Sequence, residues 1–454
     1  MPTDEELIAQ VDRLCSELDR RARTHRKLEP YYEGDCPLPA AVVQSRMTRA
    51  YRYLMPLADA PWGSLIVDSV TAALEVTGIN SPDKDVSAKV WEIWHANGLD
   101  AESKLAHNAA FLDGRVFTLT EPSTSGPEIT LDDSTQMVVE YREGSRRHRT
   151  AALRRWVDGD NRAHITLWRL DGIYKFSAKN PDPGTVSTVS WERREVDGED
   201  WPIKRDGDPI PVVELAVNRR LKPGRYGYAR GEYEHVTGLI DRINLLTFLG
   251  LVVALWQGFP LRGVIGEAIL KDDDGNVIPP FDATADSVFQ LENPEAKLAE
   301  FAAADRKNLS VYAELDQLAV LTATPRHYFP LEGGVELPSA DAIRASEGAK
   351  NAKIKRNHKP ALSEGWEETL RIGGTLLDDP VDLSPLAELE WDDHESRSLA
   401  ERGDVYAKLG DDLPWQVKAE IALRANAEQI ARWQASAASD PLAILARAAA
   451  EPVA

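Results

Sequence analysis

The sequence predicts an α+β fold, and three observations carry that expectation. Apolar residues recur at helical spacing near the start of the chain, and short β-type runs alternate with turns from Arg115 to Val217. Helical periodicity then dominates again from Gly231 onward. At 454 residues and about 150 residues per domain, two to four domains or one elaborate one are expected. A hydrophobic share of 43% supports a sizeable core and excludes global disorder.

The first helix is expected from Thr3 to about Arg26. Asp4 and Glu5 suit its positive end, and Leu7, Val11, Leu14 and Leu18 fall on one stripe. The stretch from Tyr31 to Pro39 reads as a turn-rich loop. Leu65, Ile66, Ser69, Val70 and Ala73 make a stripe over Trp62 to Leu74, and a single helix is expected from Val86 through Trp91, Trp94 and Leu99 to Leu112. Four β-type runs follow, at Val116–Leu119, Met137–Tyr141, Ala151–Trp156 and Ile165–Trp168, separated by Gly, Asp, Asn and Ser as in an antiparallel meander. Arg146, Arg147, His148 and Arg149 read as a solvated turn. Beyond Gly231 a helix begins polar and turns apolar, and a second β-prone insertion contains Leu261–Ile265 and an acidic hairpin turn at Asp272, Asp273 and Asp274. Asp305 to Thr324 reads as helix, stopped by Thr324-Pro325. Ser339 is placed to cap the Ala- and Lys-rich helix that follows.

Several function classes are excluded by composition. The charge is −21, where a DNA-coating protein would normally be basic. Cys15 and Cys36 are too few for a disulfide scaffold or a cysteine-built zinc site. The opening residues lack a basic and apolar leader, which points to a reducing cytoplasm. From Leu245 to Trp256 the chain is strongly apolar, but 12 residues fall short of the roughly 20 that cross a bilayer, so a packing helix is expected. Asp272 to Asp274 lack the alternating ligands and closing Glu of a calcium loop. The nine His residues form no metal motif, Gly333 and Gly334 sit between Glu332 and Glu336, and no phosphate loop or nucleophile elbow is present. No metal, cofactor or catalytic site is expected.

One segment opposes the global charge. Between Asp341 and Lys359 six cations, including Lys350, Lys353, Lys355, Arg356 and Lys359, face only two acids. Helical spacing lets one face carry most of them. A solvated face is the plain reading; repeated around a ring, the same face would form a belt that touches phosphates without reading bases.

The order of motifs resembles the portal proteins of tailed bacteriophages, in particular the type common in long-tailed actinobacterial phages and prophages. It runs through Tyr31-Tyr32-Glu33-Gly34, Trp62 to Val70, Leu74 to Gly78 and Trp94 to Ser103. Pro211 to Val213 before Asn218-Arg219, and Ile240 to Asn244, resemble the approach to the family's stem. Thr324 to Tyr328 and Ser339 to Ile343 resemble its tunnel loop and long helix, although Ser339-Ala340 stands where many relatives have Ser-Gly.

The resemblance implies a wing (1–230), first stem helix (231–257), small β-containing clip (258–304), second stem helix (305–324), tunnel loop (325–340), long central helix (341–376) and C-terminal wing and crown (377–454). It also implies a ring, expected as a dodecamer, at one capsid vertex of the virion, built in the host cytoplasm. Double-stranded DNA, bound non-specifically, is the expected cargo. Terminase large subunit, major capsid and scaffolding proteins and a head–tail adaptor are the expected partners, with no membrane. Pro325, Arg326, His327, Tyr328, Gly333 and Gly334 become tunnel-loop candidates, and Asp272, Asp273 and Asp274 clip-docking candidates. Lys350, Lys353, Lys355, Arg356 and Lys359 become DNA-channel candidates. Another head-assembly or minor capsid component, and a hydrolase with an unassembled site, remain as alternatives.

Overall fold

The computed structural model describes residues 2–36, 51–145, 147–179, 190–196, 198–205, 209–222, 225–258, 261–265, 297–301, 310–330, 339–392, 399–409, 413–423, 430 and 432–436. Helix α1 spans Asp4–Glu33 and opens with a reciprocal cap. Glu6 N donates to Thr3 Oγ1 at 3.3 Å, and Thr3 N donates to Glu6 Oε2 at 2.9 Å. It continues beyond Arg26 and through Pro30, ending where Gly34 takes φ +76°.

Leu7, Val11, Leu14, Cys15 and Leu18 of α1 pack on the five-stranded antiparallel meander β4 (Met137–Tyr141), β5 (Arg149–Val157), β6 (Arg162–Arg169), β7 (Gly172–Lys179) and β8 (Glu192–Arg193). Leu28, farther along the same helix, enters a different core. That larger core joins α2 (Trp62–Thr71), α3 (Lys84–Ala96), α4 (Leu99–Asp113) and the later helices around Trp94, Phe111, Tyr233 and Trp366. Helix α1 thereby couples two apolar clusters. A second sheet runs in the order β3 (Gly126–Asp132), β2 (Arg115–Ser123), β9 (Val212–Ala216). Strand β1 (Val76–Asn80) pairs with β14 (Glu388–Trp391), tying the C-terminal region to the N-terminal half.

Two expectations from sequence are corrected here. The helix expected over 86–112 is two helices, because Gly98 adopts φ +62° between α3 and α4. Asn97 makes the break favourable: its side-chain amide donates to Ile93 O and Pro127 O, and its Oδ1 accepts from Ile129 N at 2.8 Å. The break therefore stitches the end of α3 to strand β3. Arg149 is no solvated turn residue. It opens β5, and its guanidinium is mostly buried against Glu368 at 2.7 Å.

Helix α5 spans Thr237–Gly258, later than the Gly231 start expected. Residues 231–236 form a turn held to the end of α4, with Glu232 N donating to Phe111 O at 2.7 Å. The helix also extends well beyond the 12-residue apolar run of Leu245–Trp256. By length and composition Thr237–Gln257 could cross a membrane, and 39% of its apolar window is buried within the chain. Ile240, Ile243, Phe248 and Val252 are on its buried side. Helix α6 (Tyr312–Thr322) packs beside it, and Arg242 pairs with Glu314 and donates to Gln317 Oε1 at 2.6 Å. Ala323, at φ +57°, ends α6 just before Thr324; residues 305–309 lie outside the described residues. Strands β12 (Leu261–Ile265) and β13 (Lys297–Phe301) pair antiparallel between α5 and α6.

Candidate nucleic-acid interface

The cation-rich segment lies on one helical rod. Helix α7 (Ala340–Lys353) starts at the Ser339 cap, where Ala342 N donates to Ser339 Oγ at 3.3 Å. A π turn, Ile354–His358, leads into α8 (Lys359–Thr375). Pro360 supplies the physical reason for the wider turn. It has no N–H to give, and its ring would clash with the carbonyl one turn back in a regular α-helix. The rod is seated in the core by Trp366, whose Nε1 donates to His107 Nε2 at 3.0 Å, and by a buried Thr118–Thr369 hydroxyl pair at 2.6 Å.

The five candidate cations do not share one outward face, and this corrects the sequence reading. Lys350 is buried, donates from Nζ to Tyr328 Oη at 2.7 Å, and lies 4.8 Å from the centre of that ring. Lys353 points inward to Glu232 and to Thr322 O, at 3.2 Å, on the last turn of α6. Lys359 is half-buried and donates to Asp392 O at 2.7 Å. Lys355 and Arg356, on the π turn, are exposed.

Glu232 organises this junction. Its carboxylate is fully buried, faces Lys353, accepts from Asn218 Nδ2 at 2.7 Å, and lies 3.8 Å from His358 Nε2. Burial alone would push that carboxyl up. The Lys353 and His358 side chains and the bonds from Lys353 and Asn218 outweigh burial and hold it below the usual Glu value. His358 is driven the other way. Burial pushes its imidazole down to about 4, against the attraction of Glu232. Its ring also sits edge-on to Phe111 at 4.7 Å. A carboxylate from the entry to α5, an amine from α7 and a carbonyl from α6 thus meet at one point.

Of the loop candidates, Pro325 caps a short 3₁₀ turn, Arg326–Tyr328, that is pinned to both helices. Arg326 pairs with Asp316 on α6 and donates to Pro330 O at 2.8 Å. His327 Nδ1 is 3.1 Å from Ser346 Oγ, and Tyr328 Oη donates to Glu347 Oε1 at 3.2 Å on α7. Gly333, Gly334, Asp272, Asp273 and Asp274 lie outside the described residues. No group of three or more His, Cys, Asp or Glu able to hold a metal occurs among the described residues.

A family model described as "Phage portal protein, SPP1 Gp6-like" matches residues 12–249, just over half of the chain. The chain belongs to this phage portal family. The portal protein of Mycobacterium phage D29 is 26% identical over 96% of this chain and 90% of its own, and that of Mycobacterium phage L5 is 26% identical over 86% and 81%. Among solved structures, a chain from the neck of an empty GTA particle computed with C6 symmetry aligns at TM-score 0.48 and 12% identity, over 85% of this chain and 94% of that one. A chain from the native gene transfer agent virion aligns at 0.46 and 14%, over 84% and 94%. As a portal protein the chain forms a ring at the capsid vertex of the virion, a passage for double-stranded DNA.

Sequence reasoning missed Glu232 and His358, and met Asn218 only within a family motif. Glu232 follows Gly231 inside a run read as a polar helix start, and nothing local marks it as buried. Its partner lies 121 positions away, beyond the reach of any periodicity argument.

Proposed function

We propose that this chain forms a dodecameric ring that passes double-stranded DNA inward during packaging and outward during ejection, without catalysing a reaction. The observation that carries this reading is the split among the cations. Lys350 and Lys353 are tied within the subunit, whereas Lys355 and Arg356 remain exposed on the rod. A conduit must not grip its cargo, because every phosphate contact has to break as the duplex moves. An acidic chain repels the duplex, and two cations per subunit, repeated around a ring, offset that barrier with contacts that salt weakens.

The segment 258–304, including Asp272 to Asp274, is the proposed docking face for the terminase large subunit and later for the head–tail adaptor. Residues 325–340 are the proposed tunnel loop. Major capsid and scaffolding proteins are the remaining partners, met in the host cytoplasm during assembly. The motor supplies the work of translocation, so the ring needs no active site of its own.

Replacing Lys355 and Arg356 together by Glu tests the channel assignment. Rings should form normally, while DNA packaging or retention falls, most strongly at low salt. Packaging and retention equal to the unmodified protein at every salt concentration would remove these residues from the channel.

A further inference from the structure

Positive charge also gathers away from the rod. Residues 218–230 contain Arg219, Arg220, Lys222, Arg225 and Arg230 and no carboxylate. Removing that +5 from the −21 of the whole chain leaves −26 on all the other residues.

Most of the segment is a hairpin, β10 (Arg220–Lys222) with β11 (Arg225–Tyr228), paired Arg220 to Tyr228 and Lys222 to Arg225. These two strands form a sheet of their own, so both outer edges lack a strand partner among the described residues. Leu221 is 82% exposed, more than any other large apolar side chain among the described residues, and Arg220 beside it is exposed too. The root of the hairpin is fixed. Asn218, at φ +49°, donates to Glu232 Oε2 at 2.7 Å, and Tyr228 Oη donates to Glu234 Oε1 at 3.0 Å.

A two-stranded ribbon is marginal in water, and unpaired edges beside an exposed leucine call for a partner. Phosphates would satisfy the cations, but they offer nothing to Leu221 or to the open edges. A protein surface with excess acid satisfies all three. In a ring every subunit gives one face to a neighbour and receives another, and the neighbour is another chain carrying −26 outside its own residues 218–230. We propose that the β10–β11 hairpin is an arm that docks on the acidic surface of the adjacent copy, with Leu221 as its apolar anchor and the exposed Arg220 setting its orientation. This rests on the ring reading above and assigns one contact within it.

The test uses the full-length chain, with assembly followed by sedimentation over a range of protein and salt concentrations. Arg220→Glu with Lys222→Glu should require about tenfold more protein for half-assembly, the equivalent of one or two lost interface contacts. The salt response should also invert, since salt weakens the native attraction and relieves the engineered repulsion. Leu221→Ser should weaken assembly in the same direction with the native salt response. Monomers of both variants should keep the circular dichroism spectrum of the unmodified chain. Assembly of both variants at native concentrations overturns the proposal, and a loss confined to DNA retention in intact rings would reassign the hairpin to phosphates. If the unmodified chain itself forms no ring, the ring reading fails first and this contact with it.

Discussion

Glu232 and Lys353 form a buried ion pair that joins the segment entering α5 to the last turn of α7, and the same amine donates to Thr322 O at 3.2 Å on the final turn of α6. Three helices are thus fixed by one side chain, whose positive charge also suits the negative end of α6. Lys353→Met leaves the Glu232 carboxylate buried beside Asn218 and a neutral His358. Removing one partner of a buried pair costs about 3–5 kcal/mol, and chemical denaturation should report a loss in that range. Adding Glu232→Gln to Lys353→Met should recover part of the loss, because the uncompensated charge is gone. Additive losses in the double variant would contradict the pairing.

Two buried imidazoles make the fold sensitive to acid. Burial pushes His358 and His107 down to about 4 from an ordinary value of 6.5. In the unfolded chain both take up protons as the pH falls through 6.5, while in the folded chain both stay neutral. Stability should therefore fall from pH 6.5 toward pH 4, by on the order of a few kcal/mol in all. Glu232 adds a loss at lower pH. Its folded-state value is depressed, so its contribution is present above the ordinary Glu value of 4.5 and lost as the pH falls through the folded one. Replacing His358 by Gln should flatten the slope between pH 6.5 and 4 in urea titrations. An unchanged slope would show that His358 is not buried neutral.

Local signals in the sequence were readable where chemistry and structure are local. The Leu7, Val11, Leu14, Leu18 stripe marks the buried face of α1, Ser339 marks the start of α7, and Leu261–Ile265 is a strand in full. The α3–α4 break escaped because its cause is Asn97 reaching Pro127 and Ile129 on a strand about 30 positions away. The expectation that one face carries most of the rod's cations failed for the same reason. Helical spacing gives the angle between side chains, but the buried carboxylate that draws Lys353 inward and the tyrosine that holds Lys350 come from other elements. Residues 218–230 are countable in the sequence as five cations without an acid, but their pairing as a separate two-stranded ribbon is a matter of tertiary structure.

Gly231 shapes the approach to Glu232. A Cβ there would stand 2.0 Å from Leu112 O, a backbone atom that cannot yield cheaply. Gly231→Ala should lower stability by about 2 kcal/mol or more through forced displacement of the turn, with the melting temperature falling accordingly. Gly238→Ala, on the open side of α5 with nothing within 4 Å, is the control and should be neutral or slightly stabilising.

Lys350 and the Lys355–Arg356 pair should behave oppositely. Lys350→Met removes a buried amine from Tyr328 and Glu347, so thermal stability should fall by about 1–2 kcal/mol while the salt dependence of DNA retention stays unchanged. A Lys350 variant with native stability and salt-dependent loss of DNA would place that amine in contact with phosphate instead.

The central claim is a ring whose channel is lined by the 340–375 rod. A cryo-electron microscopy reconstruction of the purified full-length chain tests it most directly. The expected result is a closed ring with the rod beside the axis, Lys355 and Arg356 turned toward the channel and Lys353 buried against Glu232. A monomer or dimer with no ring, or a ring with Lys355 and Arg356 on its outer wall, would contradict the account.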